Sequence, residues 1–391
     1  TDAGIRANEA WDVATGSGVV VAVIDTGITS HSDLAANVVP GYDFITDTFV
    51  SRDGNGRDSD PSDPGDWNNA TECDSPGNDV PAMNSSWHGT HVAGTVAAVT
   101  NNAKGVAGTA FNAKVMPLRV LGRCGGYDSD IADAIIWASG GAVSGVPANT
   151  NPAEVINLSL GGSGPCDATT QAAINTAVGN GSTIAIAAGN DNINVSDASP
   201  ANCANIISVA SITSTGQRSS FSNYGSLIDI AAPGSSIMST LNSGTTSPST
   251  ESYASYNGTS MATPHVAGVI ALIQSKATTP LTPAAVETLI KTNYRPFPVT
   301  PTQTIGPGIL DAKKAVDAVG GGGGGTALTN GVAKTGLAAA TGASLNFTMA
   351  VPSGASNLKV VMSGGTGDAD MYVKFGSAPT DTVYDCRPFA T

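Results

Sequence analysis

Apolar positions along the chain follow two rhythms. Val19-Val-Val-Ala-Val-Ile24 runs without alternation, is rich in β-branched residues and ends on Asp25, as a short strand buried on both faces does. Similar runs recur at Lys114–Leu121, Glu154–Leu160, Ser182–Ala188 and Ile206–Ser211. Between them, His91–Val99, Ser129–Ser139 and Asp167–Val178 carry apolar residues at helical spacing. Strands alternating with helices predict an α/β fold with three layers around a mostly parallel central sheet. Three more helical segments follow, at Thr259–Ala277, Pro283–Thr292 and Asp311–Val319. In such a sheet, ligands bind beyond the carboxyl ends of the strands, so the polar residues that end these runs are the first candidates for chemistry.

Beyond Val319 the pattern changes. Residues 320–325 are six consecutive glycines, the composition of a flexible linker. From 326 to 391, alternating stretches at Ser344–Met349, Leu358–Met362 and Asp370–Phe375 are split by Gly, Ser and Pro. Period-2 alternation predicts a small all-β module. The expected domains are therefore 1–319, the linker 320–325 and the module 326–391.

Composition narrows the function. With 12% charged and 41% hydrophobic residues, the 391-residue chain is neither disordered nor a coiled coil. Its 17 Lys and Arg stand against 31 acids, a net charge of −14 with no basic stripe, which excludes duplex nucleic acid as a partner. No apolar run approaches the ~20 residues of a membrane-spanning helix. The acids are 26 Asp and 5 Glu; Asp favours turns and cation loops where Glu favours helices, so this excess predicts loops that hold Ca²⁺. The chain opens at Thr1 with no charged-then-apolar leader, and targeting and pro-segments are expected to lie outside this numbering.

Five cysteines, at 73, 124, 166, 203 and 386, form no CxxC pair. Disulfides are expected; the simplest pairings are Cys73 with Cys124 and Cys166 with Cys203, but four cysteines allow three connectivities. Cys386 is left over.

Four residues carry candidate chemistry. Asp25 ends the first buried run, where a carboxylate needs a nearby donor such as imidazole, unless it merely shapes a turn into Gly27. His88 lies in His88-Gly-Thr-His-Val-Ala-Gly94 at the start of a helical segment. A His pair at i, i+3 could suggest zinc, but no third ligand of matching type is near in sequence. Ser260, in Gly258-Thr-Ser-Met-Ala-Thr-Pro-His265, opens the longest apolar helix pattern. A serine there is usually a cap, yet free N–H groups and the positive dipole end also suit an oxyanion. Pro264 falls early enough in the helix for its missing N–H to be tolerated. Asn190 ends Ala187-Ala-Gly-Asn190 at a strand's carboxyl edge, as a turn former or an oxyanion donor.

Val23-Ile-Asp-Thr-Gly27, His88-Gly-Thr-His-Val-Ala-Gly94 and Gly258-Thr-Ser-Met-Ala-Thr-Pro-His265, in that order, resemble the three signatures of the subtilisin-like serine peptidases. The resemblance covers about residues 5–319 and implies the subtilisin-like fold. It implies a triad of Asp25, His88 and Ser260, in the Asp–His–Ser order of subtilisin, and Asn190 as oxyanion donor. His31, His91 and His265 receive no catalytic role from it. The resemblance further implies that Ser159, Leu160 and Gly161 pair with an extended substrate backbone, with Gly125 and Gly126 on the opposing edge. Ala188 and Gly189 are expected to line the pocket for the residue before the cut, with Asp191 beside it.

Two calcium sites are expected. Residues 43–79 hold nine Asp in thirty-seven positions; Asp53, Asp58, Asp60 and Asp63 resemble an EF-hand loop in ligand chemistry, although Pro64 stands where the closing Glu belongs. Asp33 and Asn102 match positions of the family's strong calcium site. Residues 326–391 resemble the bacterial pre-peptidase C-terminal module, a β-sandwich attached to secreted peptidases, most clearly at 364–376 and 384–388. The chain stops before such modules end, so a partial module is expected.

The reading that follows is a secreted, monomeric, Ca²⁺-stabilised serine endopeptidase acting on proteins and peptides, with its own pro-segment as folding aid and inhibitor. Sedolisin-type peptidases share Gly-Thr-Ser but use a Glu base where this chain has His88. The alternative of another class is a non-catalytic protein that keeps the scaffold to bind peptides or surfaces.

Overall fold

The computed structural model describes residues 3–75, 79–319, 326–338, 344–352, 354–364, 369–376, 379 and 383–387. They belong to two compact units, Thr1–Val319 and Gly320–Thr391; the glycine run 320–325 lies outside the described residues.

The first unit is built on one sheet of seven parallel strands. In chain order they are β1 (Val20–Asp25), β2 (Tyr42–Asp43), β3 (Lys114–Arg119), β4 (Val155–Leu158), β5 (Thr183–Ala187), β6 (Ile207–Ile212) and β7 (Ile230–Pro233). Their spatial order is β2-β3-β1-β4-β5-β6-β7. The five runs expected to be strands all pair in it. β2 and β7 were not expected, since two residues, or an Ile-Ala-Ala-Pro segment, carry too little pattern to stand out. An antiparallel hairpin, β8 (Ile237–Asn242) with β9 (Glu251–Tyr256), lies outside the sheet.

Unalternated strands have two buried faces here. Val21 and Val23 of β1 join the core beneath α1 (His88–Ala97) and α4 (Thr259–Lys276), beside Val92, Val266 and Ile270. Ala22 and Ile24 join the opposite core beneath α2 (Asp128–Ala138) and α3 (Ala168–Gly179), beside Ile135 and Ile174. Successive side chains point to opposite faces, so helices on both faces demand an apolar residue at every position.

Helix starts differ in how they are capped. The Asp167 carboxylate accepts the Thr169 and Thr170 N–H groups ahead of α3. Thr282 caps α5 (Pro283–Thr292), and Asp311 caps α6 (Ala312–Asp317). The N-cap residues Trp87, Tyr127 and Gly258 give no side-chain cap to α1, α2 or α4. Two of these three, α1 and α4, carry His88 and Ser260.

Both disulfides follow the simplest pairing, Cys73–Cys124 and Cys166–Cys203; Cys386 is free and exposed. In the second unit, Thr326–Ala327 pairs in parallel with Phe347–Thr348, and Val373 forms an isolated antiparallel bridge with Cys386. Among the described residues the expected strand at 358–362 forms no pairing, and Leu358, Val361 and Met362 are exposed. Alternation supplies an apolar face, but a strand also needs a partner edge.

Candidate active site

Asp25 closes β1 and is fully buried. β1 is flanked by β3 and β4, so the segments that leave those two strands rise on either side of Asp25. Gly89 brings α1 to this point: a Cβ there would run into Gly27 O and lie 3.2 Å from Asp25 Cβ. His88 therefore starts its helix directly over the carboxylate. Its Nδ1 lies 2.8 and 2.9 Å from the two Asp25 oxygens, and Asp25 Oδ1 also accepts the Thr26 N–H at 2.7 Å. With Nδ1–H donated to the carboxylate, Nε2 is the nitrogen left to take a proton.

Burial opposes the charged form of His88, but the Asp25 carboxylate outweighs it, with Asp66 and Asp63 adding to the effect, and the pKa stands above its ordinary value. Neither added carboxylate was assigned to this region from sequence. Asp63 Oδ2 accepts the Thr26 hydroxyl at 2.8 Å, and Thr26 Oγ1 accepts the Gly89 N–H at 3.0 Å. Asp66 accepts the Ser86 N–H and hydroxyl at 2.6 and 2.7 Å, and Ser86 Oγ accepts the His88 N–H at 3.3 Å. Burial pushes the Asp63 carboxyl up to about 7. The only sequence signal for these contacts was Thr26 itself, inside the Asp25 motif.

Ser260 sits in the first turn of α4. Its hydroxyl donates to Ser159 O at 3.1 Å, and the Ser159 hydroxyl donates back to Ser260 O at 2.8 Å. Among the described residues, no hydrogen bond joins Ser260 Oγ to the imidazole; catalytic contacts are commonly loose until substrate binds. Pro264 lies deeper in α4 than the first turn and removes the N–H that would have bonded Ser260 O. The Ser159 hydroxyl replaces that donor, which is how the proline is accommodated.

Asn190 follows β5 and is exposed. Its Oδ1 accepts the Thr259 N–H at 2.8 Å and the Thr259 hydroxyl at 3.0 Å. A backbone N–H can only donate, so the oxygen must face Thr259 and Nδ2 is turned away from it. Nδ2 lies near Gly258, at the same helix start as Ser260. Among the described residues the Ser260 N–H has no acceptor, so a side-chain donor and a backbone donor are both uncommitted here, as an oxyanion hole needs.

The expected substrate residues lie on strand-end segments around these groups. Ser159, Leu160 and Gly161 follow β4, and Leu160 and Gly161 are accessible. Gly125 and Gly126 follow β3 in a tight turn, with Gly122 and Gly125 exchanging backbone bonds at 2.8 and 3.1 Å. Ala188 is buried, and Gly189, at φ +102°, has Asp191 Oδ2 beside it. His91 stacks on Tyr256 at 4.6 Å, and burial lowers its pKa to about 4. His265 is likewise lowered to about 4 by burial, with Nδ1 on Met261 O.

The expected calcium ligands do not converge. Among the described residues, no three His, Cys, Asp or Glu side chains come together as a metal site. Asp53 bonds Arg119 at 2.7 Å and the Ser51 hydroxyl at 2.8 Å, and Asp63 faces Thr26. A buried guanidinium and a hydroxyl beside Asp25 have claimed them. Asp58 and Asp60 stay together in successive turns, the Asp60 N–H bonding Asp58 Oδ1 at 2.6 Å. Asp33 and Asn102 do meet, at 2.5 Å, but through the amide NH₂. Asn102 Oδ1 accepts the Lys104 N–H at 3.1 Å, which fixes that orientation. Asp33 Oδ2 already takes Val106 N–H and Tyr253 OH. A donor stands where a cation would want oxygen, so this pair as arranged does not fit Ca²⁺.

An Asp–His pair at the strand ends, a serine in the first turn of a helix and two uncommitted N–H donors beside it are the arrangement of a serine hydrolase of the subtilisin-like class. Residues 16–333 match the subtilase family, and the chain belongs to it: it is a subtilisin-like serine protease. Residues 343–391 match the bacterial pre-peptidase C-terminal domain. The chain is 64% identical to an extracellular protease of Xanthomonas campestris pv. campestris, over 100% of this chain and 68% of that protein. It is 49% identical to an extracellular basic protease of Dichelobacter nodosus over 81% of this chain, and spans only about half (53%) of that relative's length. Among solved structures it is similar to a protease from Pseudoalteromonas arctica, with TM-score 0.79 and 57% identity, covering 81% of this chain and 95% of that one.

Proposed function

We propose that this protein is a secreted endopeptidase that cleaves protein and peptide substrates through Asp25, His88 and Ser260. The observation that carries the reading is the bond from His88 Nδ1 to both Asp25 oxygens, which leaves Nε2 as the free base. Ser260 Oγ attacks the scissile carbonyl as His88 Nε2 takes its proton, giving a tetrahedral oxyanion held by Asn190 Nδ2 and the Ser260 N–H. His88⁺ then returns the proton to the leaving amine, which departs to give the acyl-enzyme. Water, deprotonated by His88, releases the acid and restores Ser260. Asp25 holds the tautomer and stabilises the imidazolium.

The substrate backbone lies between Ser159–Gly161 and Gly125–Gly126, adding an extended segment to exposed edges. Ala188 and Gly189 form a small apolar floor for the residue before the cut, and Asp191 tolerates a basic one. Residues 1–319 form the catalytic unit, joined by the 320–325 linker to the C-terminal module. The protein acts as a monomer after a pro-segment has assisted folding. Export is supported by the extracellular relatives, and no helix among the described residues is long and apolar enough to cross a membrane. Calcium stabilisation is proposed on a narrower footing than the sequence suggested: Asp58 and Asp60, adjacent carboxylates with no cationic side chain paired to them among the described residues, are the groups that would hold it.

The test is casein hydrolysis and labelling by a serine-directed phosphonate, for wild type and Ser260→Ala. Wild type is expected to cleave and to label once, and Ser260→Ala to lose activity on the order of 10⁶-fold, as in subtilisin. An active Ser260→Ala would remove the nucleophile assignment. A folded wild type that binds peptides but neither cleaves nor labels would favour the non-catalytic scaffold.

A further inference from the structure

Asn223 lies in the loop between β6 and β7 and is completely buried. All three hydrogen bonds of its side chain go to one other loop. Its Oδ1 accepts the N–H groups of Asp191 at 3.0 Å and Ile193 at 3.1 Å, and its Nδ2 donates to Ala188 O at 2.8 Å. Its backbone N–H adds a fourth bond, to Gly189 O at 2.9 Å. The bonded residues bracket Asn190 on both sides, while Asn190 itself is exposed and anchored through its own side chain only to Thr259. Gly189, at φ +102°, has no room for a Cβ because the Asn223 amide fills that space.

We propose that Asn223 is a positioning residue for the oxyanion hole: it moulds the Ala188–Ile193 loop so that Asn190 Nδ2 stands where negative charge develops. The inference rests on the reading of Asn190 as an oxyanion donor. The physical demand is pre-organisation. A donor contributes to the transition state only if it already stands at hydrogen-bond distance from the developing oxyanion, and a misplacement of about 1 Å forfeits much of that. An amide offers an acceptor for two N–H groups and a donor for a carbonyl in one rigid plane, which no aliphatic side chain of that size can do.

The test uses the full chain with Asn190→Ala, Asn223→Ala, Asn223→Ser and Asn190→Ala/Asn223→Ala. Each is assayed on a chromogenic peptide anilide, with rates expressed per active site titrated by the serine-directed phosphonate, so that unfolded molecules do not count. Asn190→Ala is expected to lower kcat about 10²–10³-fold, the cost of losing this donor in subtilisin. Asn223→Ala is expected to lower kcat at least about tenfold with KM within about twofold, the signature of a contact made only in the transition state. The double variant is expected to fall no more than about threefold below Asn190→Ala, because both act through one group. A merely structural Asn223 would lower Tm and leave kcat per titrated site within about threefold of wild type, and that result overturns the proposal, as does a full multiplicative loss in the double variant. If Asn223→Ala yields no titratable protein, Asn223→Ser is judged by the same criteria, and failure of both to yield any reassigns Asn223 to folding. If Asn190→Ala keeps its kcat, the donor reading and this inference fall together; if only the Asn223 variants keep theirs, this inference falls alone.

Discussion

Ser159 and Ser260 hold each other by a reciprocal pair of hydrogen bonds, each hydroxyl donating to the other's backbone carbonyl, at 2.8 and 3.1 Å. The link ties the proposed nucleophile to the edge proposed to bind substrate, and it exists because Pro264 deprives Ser260 O of its helical donor. Ser159 Oγ is itself held by the Asn157 amide at 2.9 Å, two residues back along the chain, on β4.

Ser159→Ala leaves the partly buried Ser260 carbonyl without a protein donor, a cost of up to about 1–3 kcal/mol. The expected result is a lower urea midpoint at unchanged m-value, together with a reduced kcat, because the first turn of α4 loses its tether. Chemical denaturation and steady-state kinetics measure both; an unchanged midpoint would mean water or a shifted helix supplies the donor.

His88 must be neutral to accept the serine proton, and its pKa is raised by the carboxylates around it. Activity is therefore expected to be lost as pH falls through a value above the ordinary ~6.5 of histidine. Asp66→Asn removes one of those charges while keeping an acceptor for Ser86, so the acid limb of kcat/KM should move to lower pH, toward that ordinary value. A limb that moves upward, or stays fixed, contradicts the electrostatic account.

Arg119 is buried at the end of β3, beside Asp25 in the sheet, where it pairs with Asp43 and Asp53 and donates to Ser51 O. Burial pushes the Asp43 carboxyl up to about 7 even with Arg119 holding it down, so Arg119→Met makes folding at pH 8 either bury an uncompensated charge or take up a proton, a cost of up to about 3–5 kcal/mol. The loss should shrink as pH falls and the orphaned carboxyl takes a proton. Thermal unfolding at pH 8 and pH 5 provides the comparison; an equal loss at both pH values would assign the effect to packing.

Chelator is expected to lower Tm and hasten autolysis of wild type, and to do less to Asp58→Asn/Asp60→Asn, because a cation bound only to the folded state stabilises it by mass action. Equal chelator effects on the two proteins would place calcium elsewhere, and no effect on wild type would remove it from the proposal.

The helix and strand alternation, and the placement of Asp25, His88, Ser260 and Asn190 at strand ends and helix starts, were legible because each is a local signal: a buried strand ending on Asp or running into Asn, a helix start with His or Ser. The disulfide pairing was not, since sequence left three connectivities open and only the fold chose between them. Asp63 was misread for an equally clear reason. A run of carboxylates looks the same whether a cation or a set of protein donors neutralises it, and only the fold brings Arg119 to Asp53 and Thr26 to Asp63.

The hydrophobic rhythm of the sequence determined which segments become buried strands and which become helices, because burial on one face or two is written into the spacing of apolar residues. What the tertiary structure alone decided is which donor meets which acceptor: Ser159 with the carbonyl orphaned by Pro264, Asn223 with the loop of Asn190, and the amide of Asn102, rather than its oxygen, with Asp33. Those choices depend on distances between residues far apart in the chain, and hydrogen bonds are sensitive to fractions of an ångström that no local pattern encodes.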